Sequence, residues 1–160
     1  MGSDQAKPYL RQPGSFDPRV AFIFEGIGDE EIVGDFGLQQ GGAGGDEVDR
    51  LDCAQGSPPH ALLLATASGF SDVYLYFPED VYYDQTYPSE PGQTSNAHPH
   101  VRAAMVFYEL PNGGAVFSTG SITWCGALSH NHYQNNVSRI TENVLRRFLD
   151  PALFRRLESP

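Results

Sequence analysis

Residues 101–148 leave the chain few ways to fold. Val101–Leu110 (VRAAMVFYEL) is rich in apolar, aromatic and β-branched residues and reads as a strand. Asn112-Gly113-Gly114 follows, and these residues tolerate the positive φ of a tight hairpin turn. Ala115–Thr119 (AVFST) then reads as the antiparallel partner strand. From Asn135 or Asn136 onward, Val137, Ile140, Val144, Leu145 and Phe148 recur at three- and four-residue spacing. That spacing predicts a helix with one apolar stripe. An Asn at its start can accept a free backbone N–H, so the Asn136-Val137-Ser138 sequon is read as a cap. Arg146 and Arg147 suit the negative end of the helix dipole, and Asp150-Pro151 stops the helix.

The upstream half is less regular. Val20–Phe24 (VAFIF) and Ala61–Thr66 (ALLLAT) read as buried strands, and Val73–Phe77 (VYLYF) as another. Gly41–Gly45 is expected to be a flexible loop, and Asp46 to cap a short helix through Leu51. Residues 78–100 hold four Pro and three Tyr and are expected to form a long exposed loop. Residues 1–15 are taken as an irregular lead-in and 16–160 as one α/β domain, itself part of a larger one. The expected fold is α/β, a mixed sheet with a closing C-terminal helix. A length of 160 residues with 40% hydrophobic and 12% aromatic content is enough for a real core, and 17 Gly with 12 Pro suit many turns.

The net charge of −10 comes with nine Arg and a single Lys. So acidic a surface repels phosphate backbones, which argues against nucleic acid and anionic membranes as partners. No apolar run, Ala61–Ala65 among them, approaches the ~20 residues of a membrane span. Cys53 and Cys125 lie too far apart to suggest a disulfide scaffold, so a cytoplasmic location is expected.

Cys125, His130 and His132 form a C-x4-H-x-H pattern. Thiolate and imidazole ligands suit zinc, and a His-x-His pair on an extended segment would aim both rings one way, but a second ligand pair is missing. Cys125 with His130 could also form a thiolate–imidazolium pair, although the Gly-x-Cys-x-Gly elbow of such nucleophiles is absent. The plainer reading packs Cys125 as a small hydrophobe beside Trp124. Glu25 follows an expected strand, where a carboxylate can face a ligand crevice. Gly41–Gly45 lacks the Lys and the spacing of a phosphate loop. Tyr82, Tyr83 and Tyr87 could line a pocket, meet a partner or offer phenolate ligands to ferric iron, or they could simply pin their loop to the body.

The strings QPGSFDPRVAFIFEGIG, GDFG, PPHALLLA, VRAAMVFYELPNGGAVFSTGSITWCGAL and NNVSRITENVLRRF resemble the C-terminal end of the N,N-dimethylformamidase large subunit. The resemblance runs from about Arg11 to Phe148. It implies an amidohydrolase that cleaves N,N-dimethylformamide to dimethylamine and formate. It also implies a catalytic part like a class I glutamine amidotransferase domain, a small subunit, and an iron held by two Tyr and one Glu. In that family the iron ligands lie upstream of the matched region. Tyr82, Tyr83, Tyr87 and Glu25 have suitable residue types but no motif that assigns them. The resemblance therefore implies a C-terminal part, inactive without its upstream portion and holding no metal by itself. On this view Gly120–Phe148 supplies a final strand, a connecting loop and the closing helix, with His130, Asn131 and His132 bordering a pocket and Glu25 and Cys125 as further pocket candidates. A stand-alone binding module and a thiol hydrolase on Cys125 and His130 are the competing expectations.

Overall fold

The computed structural model describes residues 6–39, 41–71, 74 and 100–154. The expected strand Val73–Phe77 lies outside the described residues except for Tyr74. So does nearly all of the 78–100 loop, with Tyr82, Tyr83 and Tyr87.

In chain order the elements are β1 (Ala6–Lys7), β2 (Leu10–Arg11), β3 (Gly44–Gly45), β4 (Leu62–Ala67), β5 (Ala103–Glu109), β6 (Ala115–Ser118), α1 (Thr123–Ala127) and α2 (Asn136–Leu149). Strands β2-β4-β5-β6 form one sheet and β1-β3 a small second one. Every pairing among the described residues is antiparallel, where a mixed sheet was expected. Met105 and Phe107 of β5 join Leu64, Ala65 and Ala67 of β4 in the core. The same core takes Val137, Ile140 and Val144 from α2. Leu145 and Phe148, expected on the buried stripe, are 58% and 40% exposed. Phe148 meets Phe154 edge-on at 5.2 Å instead.

The hairpin forms as its turn residues dictate. Leu110 N–H donates to Gly114 O at 2.8 Å, and Gly113 takes φ +85°. Asn135 caps α2, its side chain accepting from Ser138 N–H at 2.8 Å. The neighbouring Asn136 does something else. Its side chain accepts from Gly34 N–H and donates to Glu31 and to Ile32 O, tying the start of α2 to the 31–34 segment.

Four upstream expectations are corrected. Val20–Phe24 is not a strand: Pro18–Val20 is a 3-10 turn capped by Asp17, and turns continue through Gly26. Val20, Ile23 and Phe24 are buried while Ala21 is exposed, which is helical spacing inside an apolar run. Gly42–Gly45 is buried and packed rather than a flexible loop. A Cβ on Gly42 would fall 2.4 Å from the Lys7 backbone, and β3 pairs with β1. The expected helix from Asp46 to Leu51 does not form, because neighbouring chain uses its backbone groups. Val48 bridges Ser121, and Asp49 sits between Gly120 and Ala104 through bonds of 2.9 and 2.8 Å. Within the expected lead-in, Ala6–Lys7 and Leu10–Arg11 are paired strands.

Much of this half is held by polar side chains. Arg11 lies between the Phe16 and Phe24 rings, 4.3 Å from each, and donates to Ser15 Oγ and Gly28 O. Arg19 donates to Asp17 at 2.8 Å and to Glu109 at 3.3 Å. Glu109, only 2% exposed at the end of β5, is thereby paired with a guanidinium.

Candidate functional site

The chemically suggestive residues sit where β6 hands over to α1. Gly120 makes the bend with φ +66°, and a Cβ there would lie 2.6 Å from Ala104 O. Ser121 follows as a polar hub. Its hydroxyl lies 2.7 Å from both Gly45 N and Gly45 O and 2.9 Å from Thr123 Oγ1. Tyr9 donates to Thr119 O at 2.7 Å, and burial pushes its phenol pKa upward, so it stays a neutral donor. Its ring meets Trp124 edge-on at 5.7 Å, and Trp124 Nε1 donates to Thr141 Oγ1 at 3.0 Å. This seam joins both sheets to both helices.

Thr123–Ala127 is α-helical, where a strand or loop was expected. The helix turns Trp124 inward and Cys125 outward, so Cys125 is an exposed thiol rather than a small hydrophobe packed in the core. Leu38, 85% exposed, lies over Gly126, and its N–H bonds to Gly126 O at 3.2 Å.

His130–Tyr133 is a distorted 3-10 turn, not an extended segment. Asn131, His132 and Tyr133 take φ of +48°, +55° and +66° in succession. Asn and His tolerate that region better than most residues, but three in a row store strain. Asn135 secures the turn by donating to Leu128 O and His130 O. The His130 ring stacks on Phe36 at 4.2 Å and 14°, and no hydrogen bond joins it to Cys125. His132 is exposed. Cys125, His130 and His132 do not form a metal-holding group of three. Glu25 is exposed on a turn, and Asn143 bonds its backbone carbonyl rather than its carboxylate.

Among the described residues no three His, Cys, Asp or Glu side chains are grouped so as to hold a metal. A shallow groove of about 200 Å³ lies on the outer face of β5 and β6, walled by Asp49, Arg50, Pro58, Val106, Tyr108 and Val116. Sequence reasoning missed Tyr9, Ser121 and Glu109. Only Glu109 carried a signal, as a carboxylate inside an apolar strand.

The described residues define a mixed α/β protein, with antiparallel sheets packed against a C-terminal helix. The family comparisons place it more closely. The family model for the N,N-dimethylformamidase beta subunit-like C-terminal region matches residues 1–135. The chain is 47% identical over 154 residues to the N,N-dimethylformamidase beta subunit of an Alcaligenes species. It is 46% identical over 154 residues to that of Paracoccus aminophilus. Each alignment covers 95% of this chain and 20% of the relative, so the chain spans one fifth of their length. The chain belongs to the N,N-dimethylformamidase beta subunit-like family and corresponds to its C-terminal region. No helix among the described residues is long and apolar enough to cross a membrane.

Proposed function

We propose that this chain is the C-terminal module of an amidohydrolase that cleaves N,N-dimethylformamide or a similar small amide with water, giving the amine and formate. The observation that carries this reading is 47% identity sustained over 95% of the chain, to proteins named for that substrate. The module completes a glutamine amidotransferase-like α/β domain whose other strands come from an upstream portion. A small subunit joins the assembly. On this reading the iron of the parent family is held upstream and the module alone is inactive. Two exposed thiols, Cys53 and Cys125, suit a reducing, cytoplasmic compartment.

The test is a chimera in which this chain replaces the 154 matched residues of the Paracoccus aminophilus beta subunit. The expected result is retained dimethylamine release from N,N-dimethylformamide. A chimera that folds and assembles but releases none contradicts the proposal.

A further inference from the structure

Among the described residues, the outer edge of β6 is unpaired. Strand β6 ends the β2-β4-β5-β6 order, and no described residue pairs with its outer side. Natural edge strands are usually protected by Lys, Pro, a bulge or brevity. The opposite edge shows this: β2 has two residues and runs into Gln12-Pro13. Strand β6 reads Ala-Val-Phe-Ser, with no charge and no Pro, and its register with β5 is unbroken from Val106↔Ser118 to Glu109↔Ala115. All four residues are only half buried, although three of them, Ala115, Val116 and Phe117, are apolar.

The hydrogen-bond alternation says which groups face outward. Leu110 bonds to Gly114, and Ala104 N–H points to the β6 side toward Asp49. Residues 116 and 118 therefore bond inward to 108 and 106. The N–H and C=O of Ala115 and Phe117 are left directed at the edge. Their side chains pack toward the core, while Val116 and Ser118 line the groove.

We infer that β6 pairs along this edge with a β-strand from the portion of polypeptide that precedes this region in the family. The curated relatives are about five times as long as the stretch matched here, so such polypeptide exists in the family's subunit. The fitting strand alternates, with apolar residues continuing the Phe107–Phe117 face and smaller ones extending the Val116–Tyr108 groove. A second copy of this chain is the alternative occupant, and a pairing found only there counts against the inference. The inference rests on the proposed function for the identity of its partner. Its readout does not use activity, so the two can fail separately.

Hydrogen exchange read by mass spectrometry on peptides spanning 113–119 tests it, in the chain alone and in the chimera. Peptides from 136–149, protected in both, report that the module is folded. In the chain alone the Ala115 and Phe117 amides should exchange fast, and in the chimera they should slow by roughly a hundredfold. Protection already present in the chain alone, or lability in a folded chimera, overturns the inference whether or not the chimera hydrolyses N,N-dimethylformamide. A second measurement does not need the chimera. Ala115→Pro deletes one outward N–H, whereas Ala115→Gly keeps it. Association with the separately expressed upstream portion of the Paracoccus aminophilus subunit should weaken about tenfold for the Pro variant relative to the Gly variant. Equal association overturns the inference.

Discussion

Residues 101–154 and residues 6–60 are built on different principles. The C-terminal part uses a seven-residue strand, a tight hairpin and a fourteen-residue helix, held by repeated apolar contacts. The N-terminal part has strands of two residues and 3-10 turns, fastened by individual polar side chains. Arg11, Asp17 and Arg19 each satisfy backbone or charged groups that a longer ladder would otherwise satisfy. Periodic structure follows from composition, whereas wired structure depends on single side chains meeting distant partners.

That contrast can be broken by substitution. Phe107→Ala empties a fully buried site between Phe22, Phe117 and Phe154 and should cost about 3–5 kcal/mol, read by urea denaturation. Asn136→Ala removes three hydrogen bonds between α2 and the 31–34 segment but no core volume. It should cost about 1–3 kcal/mol. A larger loss for Asn136→Ala than for Phe107→Ala would mean that the wiring, not the apolar core, holds the halves together.

The smallest effect is electrostatic. The hydrogen bond from Arg19, beside its charge, holds the Asp17 carboxyl below its ordinary 3.8. A depressed folded-state pKa stabilises above the ordinary value, and that stability is lost as pH falls through the folded value. Asp17 is partly exposed, so the effect should stay under about 1 kcal/mol. Asp17→Asn should flatten the acid limb of the stability curve below about pH 4 and leave its shape at neutral pH unchanged. An unchanged acid limb would remove Arg19–Asp17 from the account.

The same contrast explains what the sequence disclosed. The hairpin at Asn112-Gly113-Gly114, the strand expected over Ala61–Thr66 and found at Leu62–Ala67, and the Asn cap expected at 135 or 136 and found at Asn135 are local patterns. Val20–Phe24 misled because an apolar run fits a strand or a short helical turn equally well, and Pro18 decided it. Gly41–Gly45 looked flexible because the close approach of Lys7 and Tyr9 is invisible in composition. The His130–His132 segment looked extended because the left-handed run through Asn131 and His132 has no periodic signature. Ser121 organises the junction through Gly45, which is 76 residues away, and no local pattern encodes that contact.

The most direct test of the central claim uses the separated parts. Dimethylamine release from N,N-dimethylformamide and bound iron should be measured on this chain alone. Both should then be measured after mixing with the Paracoccus aminophilus beta subunit lacking its matched 154 residues. No release and no iron are expected from the chain alone, and release is expected from the mixture. Stoichiometric iron and turnover in the chain alone would contradict the central claim.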